Sequence, residues 1–224
     1  MKQVVMLEAE PSPIEIDLQK TGILIIDMQN CFLTKGAYFD LLGYDMSPLL
    51  ACVEPIKRIS KMARAKGLKI INIFATNEPG DAGPGPESVY WHKEATLKLY
   101  RQKPELKEKL RFVDSWGAEI IKDLQPQEGD AMVEKPRYSS FHDTNLDTVL
   151  KRYDLKYLIT TGIATNACVE ATIRDSYYHG YFPIMVNDAT AATGPDFMQE
   201  ATAFNVKTFY GWVTETESVL AALK

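Results

Sequence analysis

Three polar residues stand where apolar strands are predicted to end. Asp27 closes the apolar run 22–26, Lys135 ends the third predicted strand, and Cys168 lies in the turn after the fourth. Taken singly, such an Asp is most often a turn residue, a Lys a solvated charge, and a Cys a small buried apolar residue. Together they predict a cysteine nucleophile that is assisted by a carboxylate and an ammonium group.

The chemistry of this set is the hydrolysis of a C–N bond. A thiol must lose its proton before it attacks a carbonyl carbon, and Asp27 could accept that proton and return it to the leaving amine. Lys135 could hold the thiolate and the carboxylate by charge. Cys168 lies at a predicted strand-to-helix turn, where the helix dipole favours a thiolate and free backbone N–H groups could stabilise an oxyanion.

The elements that must position these residues alternate between strands and helices. Strands are predicted at 22–27, 68–74, 130–134, 156–161, 181–187 and 206–210. Helices are predicted at 47–66, 145–152, 166–179 and 196–205, and a last helix follows the sixth strand and runs to about residue 223. This alternation predicts one α/β domain over 1–224, a Rossmann-like three-layer αβα fold with a six-stranded, mostly parallel sheet. We expect the first and fourth strands to be neighbours, with the ligand beyond their carboxyl ends.

Residues 76–116 interrupt the alternation with a Pro- and Gly-rich run and then a charged, aromatic-rich stretch. A loop of this length inside a compact domain is usually functional or mobile, so we predict an irregular lid or oligomer-contact segment. Aromatic residues in or beside it could pack locally or at a subunit interface, where aromatics are enriched; they are Tyr90, Trp91, Tyr100, Phe112 and Trp116.

Composition narrows the class of protein. The net charge of -5 is spread along the chain without a basic block, so neither nucleic acid nor a membrane is expected as a partner. The three cysteines are odd in number and lack Cys-x-x-Cys spacing, which favours a reducing cytoplasm over a disulfide framework. The scattered histidines and the missing phosphate loop predict no metal and no cofactor.

Three separated motifs resemble those of the isochorismatase-like cysteine hydrolases, from about residue 21 to the C-terminus. They are Ile25-Ile-Asp27-Met-Gln-Asn30, Glu134-Lys135-Pro136-Arg-Tyr-Ser139 and Thr161-Gly-Ile-Ala-Thr-Asn-Ala-Cys168-Val-Glu170. The resemblance implies a Cys–Asp–Lys triad and a homo-oligomer, either a dimer or a tetramer. It also implies a cis peptide between Ile163 and Ala164 and an oxyanion hole made by the backbone amides of Ala164 and Cys168.

Within that family the chain looks like the ureidoacrylate amidohydrolases of pyrimidine breakdown. The segments that point this way are Lys135-Pro-Arg-Tyr-Ser139, Gly36-Ala-Tyr-Phe-Asp40, Trp91-His-Lys93 and Phe209-Tyr-Gly-Trp-Val213. The resemblance implies cleavage of a small ureide, with ureidoacrylate giving aminoacrylate and carbamate as the best-supported reaction.

Such a substrate needs polar partners for its ureido group, because a site discriminates when it pairs every donor and acceptor. Residues beside the predicted strand ends could supply them, although each could equally be a turn or core residue; they are Asn30, Asn72, Tyr138 and Asn166. Arg137 is a candidate partner for the substrate carboxylate.

Several other functions stay open. Triuret, biuret or an N-carbamoyl amide could be the substrate of the same triad, whereas metal-dependent nicotinamidase activity is disfavoured because residues 74–78 contain no histidine. A true isochorismatase acting on a vinyl ether does not require Cys168. A non-enzymatic small-molecule binding protein could use the same scaffold but would not need all three triad residues.

Overall fold

The computed structural model describes residues 3–78, 80 and 85–224. The strands, in chain order, are β1 (Val4–Leu7), β2 (Ile14–Asp17), β3 (Thr21–Ile26), β4 (Lys69–Ala75), β5 (Ala131–Lys135), β6 (Tyr157–Ile163), β7 (Phe182–Ala191) and β8 (Trp212–Thr214). The α-helices are α1 (Asn30–Leu33), α2 (Tyr38–Leu41), α3 (Ser47–Ala51), α4 (Val53–Ala65), α5 (Val89–Lys93), α6 (Ala95–Gln102), α7 (Leu146–Arg152), α8 (Glu170–Tyr178), α9 (Phe197–Asn205) and α10 (Thr216–Ala222).

A six-stranded parallel sheet forms the centre, in the order β5-β4-β3-β6-β7-β8, and β1 and β2 make a separate antiparallel pair. The predicted sheet is confirmed, and so is the pairing of its first and fourth strands, β3 and β6. The order of strands reverses between these two, and in parallel sheets this switch is where ligands bind.

The two faces of the sheet are covered by separate apolar layers. Side chains along β3 alternate between them, as strand geometry requires: Ile23 and Ile25 join one core cluster, and Leu24 and Ile26 join the other. Because helices contribute to both clusters, the predicted three-layer arrangement is confirmed. No helix among the residues described here combines the length and apolarity that a membrane crossing requires.

The sequence prediction is wrong for the last strand. Residues 206–210 continue α9 as a π-helical turn, and the strand begins only at Trp212. The reason is a close approach that the local pattern does not reveal. A Cβ at Gly211 would lie 2.1 Å from the carbonyl oxygen of Pro183, so the chain can reach β7 only where it has a glycine.

The segment 76–116 is more regular than the sequence suggested. Where it is described it contains α5, α6 and a 3₁₀ turn over Pro104–Lys109, while residues 79 and 81–84 lie outside the described part. Its aromatic residues pack mostly within the subunit. Phe112 is fully buried with its ring centroid 4.5 Å from that of Tyr100, and Trp91 lies 3.9 Å beneath the guanidinium of Arg101. The roles of lid and oligomer contact stay predictions.

Candidate active site

Asp27 begins the site at the carboxyl end of β3. Its φ of 56° is left-handed, a conformation that Asp tolerates better than branched residues do. The Asp27 amide donates to the carbonyl of Ile73 at 2.9 Å, which ties the turn to β4. The Asp27 side chain is almost fully buried, so its carboxylate needs a cationic partner.

The turn after β6 is held against the end of β3 by a glycine. Gly162 has a φ of 106° and pairs with Ile26, and a Cβ there would lie 2.1 Å from the carbonyl oxygen of Ile26. This approach brings the turn beside Asp27. The following peptide, between Ile163 and Ala164, is cis.

Cys168 lies in the first turn of the helix that follows. The turn Thr165–Val169 is π-helical, with the amide of Val169 donating to the carbonyl of Ala164 at 3.2 Å, and it continues directly into α8. The thiol therefore faces the site from a helix N-terminus, as the sequence predicted.

Lys135 brings the three predicted residues into contact. It ends β5, two strands from β3, and its side chain is completely buried. Its Nζ lies 2.8 Å from Asp27 Oδ2, donates to Cys168 Sγ at 3.3 Å, and donates to the carbonyl of Arg137 at 3.0 Å. These distances are within hydrogen-bond reach, so one ammonium group holds the carboxylate and the thiol on either side of it.

The electrostatics of the site keep the thiol protonated at rest. Burial raises the pKa of Cys168 to about 12; the negative charge of Asp27 acts in the same direction, and the positive charge of Lys135 opposes it. The sequence suggested a thiolate favoured by the helix dipole, whereas burial of the thiol favours its protonated form. Burial alone would lower the pKa of Lys135, but the charge of Asp27 raises it, so Lys135 stays cationic.

This balance predicts slow alkylation of the free enzyme by iodoacetamide. Because Cys168 ionises only at high pH, the rate at which iodoacetamide alkylates it should rise about tenfold for each pH unit between about pH 7 and pH 10, without a plateau. Asp27→Asn removes a charge that raises the pKa, so alkylation at a fixed pH should be faster in that variant. Peptide mapping separates Cys168 from the buried Cys31 and Cys52. A plateau below pH 8 in the wild type would contradict the prediction.

The triad opens on a cavity of about 210 Å³. The cavity is lined by Asp27, Cys168 and the turn after β6, by a group of aromatic rings, and by charged residues from the 76–116 segment. The aromatic and charged members are Phe32, Tyr38, Phe39, Tyr44, Tyr138, Lys93, Glu94 and Arg111. Its size and mixed lining suit a small polar substrate.

The predicted substrate-binding residues lie in different places. Tyr138 lines the cavity, and the structure leaves its predicted role open. Asn166 is outside the lining, but its side chain donates to the carbonyl of Thr193 and accepts from the Thr193 amide. Since Thr193 does line the cavity, Asn166 shapes the wall indirectly.

The other three predicted residues are directed elsewhere. Asn30 donates to the carbonyl of Trp116 at 3.0 Å, and Asn72 is buried in β4, 3.3 Å from Asp130 Oδ2. The guanidinium of Arg137 lies 3.7 Å from the centroid of the Tyr90 ring. None of the three lines the cavity, because nearness to a strand end does not determine where a side chain points.

Sequence reasoning missed two kinds of residue. Gln29, just after β3, is fully buried and joins this end of the strand to β4 and to the turn at Ala118. Its Nε2 donates to the carbonyls of Ala75 and Ala118, and its Oε1 accepts from the amide of Ala75. Its position in the Asp-Met-Gln motif was the available signal. Glu94 and Arg111 form a buried ion pair on the cavity wall, and only an arginine between apolar neighbours hinted at it.

Within residues 3–78, 80 and 85–224, no group of three or more His, Cys, Asp or Glu side chains is placed to hold a metal ion.

Comparison with known proteins gives the family. Residues 21–218 match the Isochorismatase domain. The ureidoacrylate amidohydrolase RutB of Serratia proteamaculans is 43% identical over 215 residues, covering 95% of this chain and 86% of that protein, and its counterpart from Caulobacter vibrioides strain NA1000 is 42% identical, with coverages of 95% and 90%. A cysteine hydrolase structure from Pseudomonas syringae pv. phaseolicola superposes with a TM-score of 0.75 at 26% identity, covering 99% of this chain and 97% of that one. The chain belongs to the isochorismatase family.

Proposed function

We propose that this protein is an amidohydrolase that cleaves the ureido C–N bond of ureidoacrylate, giving aminoacrylate and carbamate. One observation carries the proposal: Lys135 Nζ contacts both Asp27 and Cys168 at the wall of a small cavity. A nucleophile beside a base and a cation is one arrangement that activates a thiol for covalent hydrolysis of an amide. The relatives that carry this activity in their names align with nearly the whole chain.

The first half of the reaction forms a C–S bond. Cys168 Sγ attacks the ureido carbonyl carbon while Asp27 accepts the thiol proton. Because the raised pKa of Cys168 keeps the thiol protonated at rest, proton transfer accompanies the attack. The carbonyl oxygen becomes an oxyanion, for which the backbone N–H groups of Ala164 and Cys168 are the donors.

The second half breaks the C–N bond and releases the enzyme. Asp27 returns the proton to the departing nitrogen, aminoacrylate leaves, and the carbamoyl group stays on Cys168 as a thioester. Asp27 then removes a proton from water, which attacks the thioester, and carbamate leaves as the thiol is restored. Lys135 keeps its charge throughout and balances Asp27 when that residue is ionised.

A substrate panel tests the proposal. Values of kcat/KM are compared for ureidoacrylate, biuret, triuret, N-carbamoyl amino acids and nicotinamide by coupled ammonia release. We expect ureidoacrylate to be preferred by at least about tenfold, because a site that pairs all polar groups of one substrate discriminates against the rest. If kcat/KM for biuret or triuret equalled that for ureidoacrylate, the protein would instead belong with the biuret and triuret hydrolases. A preference for nicotinamide would refute cleavage of ureides.

We also propose that the enzyme works in the cytoplasm as a homo-oligomer. The location is inferred from the three cysteines, whose odd number and spacing do not suit a disulfide framework. The assembly is inferred from the family resemblance. Light scattering at low protein concentration, with activity measured on the same sample, tests the assembly. A fully active monomer would refute it.

A further inference from the structure

A buried ion pair that the reaction does not use lies on the cavity wall. Glu94 follows α5 and Arg111 lies near the end of the 76–116 segment, and both side chains are 5% exposed. We propose that Arg111, held in place by Glu94, binds the carboxylate of the substrate. This inference rests on the proposed function and names the residue that distinguishes ureidoacrylate from neutral ureides.

The guanidinium is fixed on one side and free on the other. Arg111 Nη2 donates to Glu94 Oε2 at 2.5 Å, and Nε donates to Thr96 Oγ1 at 3.2 Å. Across the described ranges, Nη1 makes no hydrogen bond. A guanidinium held in this way is preorganised to donate to a further anion, and charge-assisted bonds from arginine to carboxylate are among the strong ones.

Arg111 also lines the same small cavity as Asp27 and Cys168. Although burial opposes it, the nearby negative charge of Glu94 raises the pKa of Arg111, and Cys168 and Asp27 contribute in the same direction. In turn, the charge of Arg111 opposes a small part of the rise in the pKa of the Cys168 thiol. The guanidinium is therefore within electrostatic range of a substrate carbonyl placed on Cys168. The ureido carbonyl and the carboxylate of ureidoacrylate are separated by only a few bonds.

The charges of the site favour an anion of charge minus one. Asp27 and Glu94 supply two negative charges, while Lys93, Arg111 and the buried Lys135 supply three positive ones. The buried pairs Asp27–Lys135 and Glu94–Arg111 are each neutral, so with the thiol protonated the excess positive charge is that of the exposed Lys93 at the cavity mouth. A single carboxylate balances it, whereas biuret, triuret and nicotinamide bring no charge.

Arg137, the carboxylate partner predicted from the sequence, has other contacts. Its guanidinium lies over the Tyr90 ring, its Nη1 donates to the carbonyl of Pro136, and its own carbonyl accepts from Lys135. Arg137 does not line the cavity.

The test measures kcat/KM for ureidoacrylate and for its neutral primary amide on the same enzyme sample. The fraction of folded protein affects both values equally and therefore cancels in their ratio. Removing one partner of a buried pair is strongly destabilising, so the main variant is the double substitution Arg111→Met/Glu94→Gln. We expect its kcat/KM ratio of acid to amide to fall about 100-fold, mainly through a higher KM for the acid. Arg111→Lys keeps the charge but loses the planar fork, and its ratio should fall about tenfold.

A matched control removes an ion pair of the same residue types away from the cavity. Arg58 and Glu217 pair at 2.7 Å on the surface, and Arg58→Met/Glu217→Gln should leave the ratio unchanged. Equal losses for acid and amide in both Arg111 variants would show that the pair is only structural and would overturn the inference. A wild-type enzyme without ureidoacrylate turnover would instead refute the proposed function, before any variant is compared.

Discussion

Replacing Cys168 by alanine should lower kcat for ureidoacrylate by more than about 10⁴-fold, because the covalent route then has no nucleophile. Cys168 is the thiol that Lys135 contacts, and it lies on the cavity wall, whereas Cys31 and Cys52 are buried outside the lining. Cys168→Ser should lose nearly as much, since an alcohol ionises less readily than a thiol. Steady-state assays of the purified variants measure both effects.

Cys52→Ser is the matched control for this prediction. Its Sγ donates to the carbonyl of Pro48, a bond that a serine hydroxyl can replace, and it lies outside the cavity lining. We expect nearly unchanged kcat. If Cys168→Ala kept activity within about tenfold of the wild type, a nucleophilic role for Cys168 would be excluded.

The second large effect concerns the buried pair of Asp27 and Lys135. Lys135→Met leaves the Asp27 carboxylate buried without its cation, so the free energy of unfolding should fall by about 3–5 kcal/mol, together with activity. Asp27→Asn keeps the size of the side chain but removes the base, so kcat should fall by about 10²–10⁴-fold. Urea unfolding and steady-state kinetics measure the two quantities.

The double variant separates charge from packing. Asp27→Asn/Lys135→Met carries no unpaired charge, so it should be more stable than Lys135→Met alone, and the double-mutant cycle should show strong coupling. Lys151→Met is the control, because its pair with Asp147 is exposed and such pairs contribute little. Additive losses in the cycle would contradict a direct interaction between Asp27 and Lys135.

The sheet and the three reacting residues could be predicted because their signals are local. Apolar runs with β-branched residues mark parallel strands, and the carboxyl ends of those strands meet at one edge. Asp27 and Lys135 therefore converge although 108 positions separate them in the printed sequence. The prediction of the last strand was wrong because its position depends on a contact that is not local, that of Gly211 with Pro183.

The substrate-facing wall could not be predicted in this way. Glu94 and Arg111 meet across 17 positions in a segment without a regular apolar period, and their burial depends on how that segment packs. Asn72 and Arg137 had the right chemistry and the right neighbourhood, but their side chains are directed away from the cavity. Side-chain direction needs the folded backbone, and no spacing rule supplies it.

The carbamoyl thioester is the species that tests the central claim most directly. Wild-type enzyme mixed with ureidoacrylate, quenched with acid within one turnover and digested, is examined by mass spectrometry. The account predicts the mass of one carbamoyl group on the peptide that contains Cys168, absent from Cys168→Ala and longer-lived in Asp27→Asn. Full turnover without that adduct, or with the adduct on Cys31 or Cys52, would contradict it.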